Sequence, residues 1–204
     1  MKNFPKIHSP FIREESKQGY NVTDKIDPDY SWVFKEKGVI ATDKIDGTNV
    51  GIRIEKGNII RIFNRTQEKF IFNVNQTKWE GACMEGVAKA IQRGWMRYED
   101  GDVYGELIGE LFNGNRHQVK GNLFVPFNYL KDKCSWHSWV QNKYPKDFET
   151  ISEWFKELPS LFNQRINLPG IMAEGLVFYR QNGEMAKLRR DMYDWHSGIG
   201  HKKP

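Results

Sequence analysis

Apolar and polar positions along the chain fall into distinct textures, and each texture predicts an element. The first 30 residues are polar with scattered proline and read as an irregular arm laid on a domain. From Val39 the pattern changes. Val39-Ile40-Ala41 is a short buried strand, and Val50, Ile52 and Ile54 alternate with polar or small residues as a half-buried strand requires. The turn Glu55-Lys56-Gly57-Asn58 leads into an apolar run over 59–63 and completes a hairpin. Cys83, Val87, Ala90, Ile91 and Trp95 recur at helical spacing and predict an amphipathic helix over 80–97. Residues 102–109 and 122–130 read as strands. Residues 134–142 and 148–158 read as helices, the second stopped near Pro159. A strand over 173–179, a turn at 180–184 and a final strand from Met185 close the pattern.

Strands joined by hairpins, with helices grouped between them, predict an α+β fold on antiparallel sheets flanked by helices. No internal repeat, low-complexity tract or linker interrupts the 204 residues, so a single domain is expected. Its parts are an arm over 1–35, a core over 36–195 and a basic tail over 196–204.

Composition narrows the function classes. With 39% hydrophobic residues, 13 Phe, 7 Trp and 8 Tyr, the chain has the material for a packed core and is not a disordered polymer. Lys and Arg exceed Asp and Glu by five, which favours a polyanionic partner such as nucleic acid. Cys83 and Cys134 stand far apart without ligand-like spacing, as in a reducing interior. The N-terminal residues contain no apolar signal region and no stretch approaches membrane-spanning length, so a cytoplasmic protein without a membrane partner is expected. Asn21, Asn64 and Asn75 lie in N-x-T sequons that matter only after secretion.

Common phosphate-loop, dinucleotide, zinc-protease and EF-hand motifs are absent. His8, His117 and His137 have no ligand-like spacing, and Trp136, Trp139 and Trp154 sit at helical positions that suit core packing. The chemistry concentrates around Lys44, in "DKIDGTN". A lysine amine is protonated and inert at neutral pH until desolvation or nearby cations activate it. Lys187 and Arg189 stand two apart on a predicted strand and share one face. If that face meets Lys44, the same cations would activate the lysine and hold phosphate oxygens. Taken alone, Lys-x-Asp-Gly could equally be an ordinary turn. Glu106 and Glu174 could be surface carboxylates at strand ends, Arg65 a solvated hairpin residue, and Phe127 part of the core.

Five pieces in order change that balance: "DKIDGTN" at 43–49, Arg65 after the hairpin, Glu106 in "GEL", Glu174-Gly175 in "EGLV", and Lys187 with Arg189 in "KLR". Together they resemble the signature elements of the covalent nucleotidyltransferases, the polynucleotide ligases and RNA capping enzymes. The chain is most similar to the ATP-dependent RNA ligases, especially the bacteriophage type that seals nicks in double-stranded RNA. The resemblance runs from about residue 39 to 190. It implies a nucleotidyltransferase domain, ATP-grasp-like, of antiparallel sheets flanked by helices.

The resemblance also implies roles. Lys44 attacks the α-phosphorus of ATP, expels pyrophosphate and holds AMP as a phosphoramide. Asp43, Ile45 and Asn49 line the nucleotide pocket, and Asp46 assists the metal or orients the leaving group. Glu106 accepts from the ribose hydroxyls, and Arg65 contacts the α-phosphate or ribose edge. Phe127, or its competitor Phe124, stacks on adenine. Glu174 holds Mg2+ or Mn2+, and Lys187 and Arg189 neutralise phosphate charge. The implied partner is nucleic acid, RNA preferred, with 5′-phosphate and 3′-hydroxyl ends.

Two departures qualify this. Arg189 stands where the family usually has a second lysine; it keeps the charge and grips phosphate bidentately, but cannot give up a proton to leaving pyrophosphate. Only fifteen residues follow it, too few for the OB-fold of DNA ligases and capping enzymes or for the helical C-terminal domain of RNA ligases. A bare catalytic domain is therefore expected, with an accessory protein or domain, or the arm and tail, supporting the final sealing step. The alternatives are a minimal ATP-dependent DNA ligase, a capping guanylyltransferase, and a non-catalytic nucleic-acid-binding domain on the same scaffold.

Overall fold

The computed structural model describes residues 6–16, 19–64, 68–69, 77–137 and 144–196. In chain order its strands are β1 (Phe11–Ser16), β2 (Gly19–Ile26), β3 (Ile40–Lys44), β4 (Thr48–Glu55), β5 (Asn58–Asn64), β6 (Glu68–Lys69), β7 (Gly101–Gly109), β8 (Asn122–Pro126), β9 (Ser135–His137), β10 (Gly175–Tyr179) and β11 (Met185–Arg189). The helices are α1 (Trp32–Lys35), α2 (Lys78–Gln92), α3 (Phe127–Lys133), α4 (Phe148–Lys156) and α5 (Leu161–Arg165). Every ladder between these strands is antiparallel, as the α+β expectation required.

The chain divides into two compact units. The first is built on Ile45–Lys133. Its sheet has the order β6-β5-β4-β7-β8. Val50, Ile52 and Ile54 are fully buried on β4, as their alternation predicts, and Leu107 and Phe124 join them from β7 and β8. Helix α2 covers this face with Ala82, Cys83, Val87 and Ala90. A capping box starts α2: Thr77 Oγ1 accepts from the Glu80 amide while Glu80 accepts from the Thr77 amide. The helix stops short of the predicted 97 because Gly94 turns the chain at φ 68°. Lys56 and Gly57 both take positive φ in the two-residue β4–β5 turn.

The second unit is built on Lys6–Lys44 and the chain from Cys134 onward. Its four-stranded sheet runs β11-β10-β3-β9, and β1 and β2 form a separate hairpin. Ala41, Leu176, Phe178, Ala186 and Leu188 form the inner face of the larger sheet, packed with Ile151 and Phe155 of α4 and with Phe11 and Val22 of the hairpin.

Three sequence expectations are corrected. The arm is not irregular: β1 and β2 pair through it, but most of their side chains face solvent, so the alternation is hidden. The strand predicted over 122–130 ends at Pro126, and Phe127 opens helix α3. Ser135–His137 is a strand on the edge of β3 rather than the start of a helix. Trp136 and Trp154 pack edge to face at 5.6 Å against the second core, the packing role expected of them. Trp139 lies outside the described residues.

Candidate active site

Period two along β3 sends successive side chains to opposite faces of its sheet. Ala41 and Asp43 fall on the inner face, Thr42 and Lys44 on the other. The antiparallel register then sets Lys44 opposite Gly175 of β10 and Gly175 opposite Arg189 of β11. One rung further, Thr42, Val177 and Lys187 align in the same way. Lys187 and Arg189 therefore share one face, as their spacing predicts, and the β3–β10 register brings Lys44 onto it.

Glu174, just before β10, meets this face. Lys44 Nζ donates to Glu174 Oε2 at 2.5 Å, and Arg189 NH1 lies 4.0 Å from Glu174 Oε1. Arg189 Nε also lies 3.0 Å from Asp191 Oδ1. The side chains of Lys44, Glu174 and Arg189 are only 19%, 11% and 20% exposed, so these charges are largely withdrawn from solvent screening. Gly175 is needed between them because a Cβ there would meet Leu188 O at 2.0 Å.

Asp43 is turned the other way. Its carboxylate is buried and accepts from Ser160 Oγ at 2.6 Å and from the Phe162 amide at 2.9 Å. Burial pushes the Asp43 carboxyl up to about 6, against the two hydrogen bonds; Glu174 adds to the rise and Lys44 opposes it. The Cys134 thiol beside it is pushed up to about 12, chiefly by burial, which leaves it unreactive.

In the first unit, Ile45 is buried and Asn49 lies directly opposite Glu106 across β4 and β7. Both are partly exposed, on the sheet face opposite the Val50–Leu107 core. Phe127 is half-buried at the start of α3. Phe124 pairs in register with Leu107 and is wholly buried in the core, so it is unavailable for stacking. Arg65 lies outside the described residues.

Asp46 is held by a segment that motif reading passes over. Asn113 Nδ2 donates to Asp46 Oδ1 at 2.8 Å and to Gly47 O at 2.9 Å. Arg116 Nε lies 3.0 Å from Asp46 Oδ2, and the Asp46 amide donates to buried His117 Nε2 at 2.9 Å. Asn113, Asn115 and Gln118 all take positive φ in this loop. The "NGN" string is a legible turn signal, but its target is not. Gly47 does not sit at positive φ; a Cβ there would meet Leu107 O and Ile108 Cγ2, each at 2.7 Å. Asp-Gly is thus no hairpin turn. It links β3 of one sheet to β4 of another.

Among the described residues no group of three or more His, Cys, Asp or Glu side chains is placed to hold a metal ion. A single carboxylate such as Glu174 suits Mg2+, which commonly binds one or two carboxylates together with substrate phosphates and water. None of the helices is long and apolar enough to cross a membrane among the described residues.

The family model for RNA ligase matches residues 37–190. No curated protein matches the chain. Solved structures that resemble it include a point mutant of the Naegleria gruberi RNA ligase with AMP and Mn, at 18% identity and a TM-score of 0.49, covering 91% of this chain and 61% of that one. The same enzyme with PPi matches at 19% identity and a TM-score of 0.47, covering 93% and 62%. Another mutant, with ATP and Mn, matches at 19% identity and a TM-score of 0.45, covering 90% and 59%. The chain thus spans about three-fifths of the solved chains it matches.

Proposed function

The chain belongs to the RNA ligase family, and from that premise we propose that it is an ATP-dependent RNA ligase acting through a covalent lysyl-AMP on Lys44. The observation that carries this reading is the cluster of Lys44, Glu174 and Arg189 side by side on β3, β10 and β11, with Lys187 one rung away. Three positive groups and one carboxylate in a partly dry setting suit transfer of a phosphorylated group, where alignment and charge neutralisation do most of the work.

Lys44 Nζ attacks the α-phosphorus of ATP. The N–P bond forms as the bond from the α-phosphorus to its bridging oxygen breaks, and pyrophosphate leaves with the electron pair. Before attack the contact between Lys44 and Glu174 opens and the ammonium gives its proton to solvent water, which leaves a neutral amine with a free lone pair. Lys187 and Arg189 hold the phosphate oxygens; Arg189 keeps its proton throughout and acts by charge and by its bidentate grip. Glu174 is the residue that would hold Mg2+ or Mn2+, which supplies charge neutralisation on the reacting phosphates when bound. Asn49 and Glu106 bind the nucleoside, with Glu106 accepting from the ribose hydroxyls; Ile45 shapes the pocket wall and Phe127 stacks on adenine. Arg65, in this proposal, contacts the α-phosphate or the ribose edge. Asp43 and Asp46 have carboxylates engaged by protein groups, and they serve by fixing the chain on either side of Lys44 and Ile45.

AMP then passes to the 5′-phosphate of RNA, and a 3′-hydroxyl attacks that phosphate and releases AMP. The nucleic-acid substrate, a cytoplasmic setting and the need for an accessory protein or domain in sealing belong to the same proposal.

The test is incubation with α-labelled ATP, and separately GTP, plus Mg2+ or Mn2+, with label retained on the denatured chain, stable to alkali and released by acid as a phosphoramide is, as readout. ATP should label the wild type, and Lys44→Ala should reduce labelling to background. No label with ATP overturns the ligase reading, label with GTP alone favours capping, and label surviving in Lys44→Ala misplaces the nucleophile. Sealing of nicked RNA, DNA and hybrid strands separates an RNA ligase from a minimal DNA ligase.

A further inference from the structure

Ser160 lies outside every motif of the family, yet it sits at the junction of the two segments that present Lys44 and Glu174. Its side chain is wholly buried. Ser160 Oγ donates to Asp43 Oδ2 at 2.6 Å and accepts from the Asn163 amide at 3.1 Å, capping α5. The Phe162 amide reaches the same Asp43 oxygen at 2.9 Å. This fixes the inner face of β3 one residue before the nucleophile, while the Asp43 amide donates to Cys134 O at 2.8 Å on the other side of the strand.

The same short segment also grips the approach to Glu174. The Ser160 amide donates to Ile171 O at 2.9 Å, the Ala173 amide donates to Leu158 O at 3.0 Å, and Pro159 bridges Met172 between them. Ala173, itself buried, is the residue immediately before Glu174. Leu158–Phe162 is therefore a brace: one arm is a side-chain contact to the neighbour of Lys44, and the other is a backbone ladder to the neighbour of Glu174. All of these groups lie within one compact unit.

We infer that Ser160 is a positioning residue, which through Asp43 and the ladder to Ala173 sets Lys44 Nζ and Glu174 in the geometry needed for attack on the nucleotide. It touches neither substrate nor reacting atoms. The inference rests on the ligase reading above. Its physical basis is the sensitivity of an aligned displacement to small errors: misplacement by about 1 Å can cost on the order of a hundredfold in rate. A short buried contact between Ser160 and Asp43 restrains β3 in a way that core packing of apolar side chains does not, because a hydrogen bond has direction as well as distance.

The decisive measurement is single-turnover labelling with α-labelled ATP, in which rate constant and amplitude are read separately for wild type, Ser160→Ala and Ser160→Thr, alongside thermal unfolding. In Ser160→Ala the rate constant should fall by roughly ten- to a hundredfold, with wild-type amplitude and little change in the ATP concentration giving half the maximal rate. Ser160→Thr keeps the hydroxyl and should recover most of the rate. Should Ser160→Ala fail to fold, Ser160→Cys, which keeps a buried side chain of similar shape but a longer and weaker hydrogen bond to Asp43, carries the same test. A lowered amplitude with an unchanged rate constant in the folded variants would mean that Ser160 only supports folding, and would overturn the inference. An unchanged rate and amplitude would overturn it too. A wild-type chain that takes no label overturns the ligase reading itself, so the two failures are distinguishable.

Discussion

Asp43 and Lys44 are neighbours that face opposite sides of one strand, and their environments differ accordingly. The carboxyl of Asp43 titrates near 6 because burial outweighs the hydrogen bonds from Ser160 and Phe162 that favour its ionised form. In the unfolded chain the same group titrates near 3.8. The native state therefore holds this proton more tightly than the unfolded state does. Its contribution to stability is full below about pH 4 and is lost as pH rises through about 6. A rise of that size corresponds to roughly 3 kcal/mol, with Lys44 and Glu174 as the charged neighbours that adjust it. Asp43→Asn has no such proton to lose. Urea unfolding of both proteins between about pH 4 and 7 should show the wild type losing stability relative to Asp43→Asn by up to about 3 kcal/mol, and parallel curves would show that Asp43 does not titrate there. This orientation was open to sequence reasoning, since residue 43 precedes Lys44 on a strand and alternation must send it inward. The acceptor's partners were not: Ser160 and Phe162 are more than a hundred residues away and nothing local marks them.

Elements whose apolar residues alternate against a core were legible, and those with one foot in solvent were not. Strand β4 and the hairpin of β10 with β11 follow from side-chain period and turn residues, which set Lys187 and Arg189 on one face; the pairing of β3 with β10 that brings Lys44 to them has no local signal. The hairpin of β1 and β2 was missed because its exposed faces are polar on both strands, and Ser135–His137 because a three-residue edge strand has no period to read. The apolar run through Pro126 predicts strand for Phe127, but the proline ring ends the ladder and opens a helix. Gly175 shows what an element can demand of one position. Its missing side chain lets Leu188 O approach to 2.0 Å of where a Cβ would stand, and Arg189 Cα to 2.7 Å. In Gly175→Ala, β10 has to shift against β11, and a loss of about 1–3 kcal/mol is expected. Because Gly175 lies between Lys44 and Arg189, labelling by ATP should fall by more than the loss of folded protein accounts for. Equal losses in folded fraction and label would show that the rung can move without disturbing the cluster.

The molecule as a whole has two cores and a small excess of positive charge, 31 Lys and Arg against 26 Asp and Glu. Some of the basic groups are paired with carboxylates within the fold. Arg53 meets Asp102, Arg180 meets Glu36 and Glu184, and Lys89 meets Glu85. In the proposed complex with nucleic acid, each phosphate that a basic group contacts releases condensed counterions. The logarithm of the binding constant should then fall linearly with the logarithm of salt, by about 0.7 to 0.9 per phosphate engaged. With two or three phosphates engaged, binding of a nicked RNA duplex should weaken by roughly tenfold or more between about 50 and 200 mM salt. Fluorescence anisotropy of a labelled duplex, titrated at several salt concentrations without ATP, measures this slope. If Lys187 and Arg189 supply part of the contact, Lys187→Ala should make the slope shallower by about one phosphate as well as weakening binding. A variant that binds the duplex as tightly as the wild type, with an unchanged slope, would assign Lys187 to the nucleotide alone. A flat response in the wild type would mean that the net charge of +5 plays no part in holding RNA.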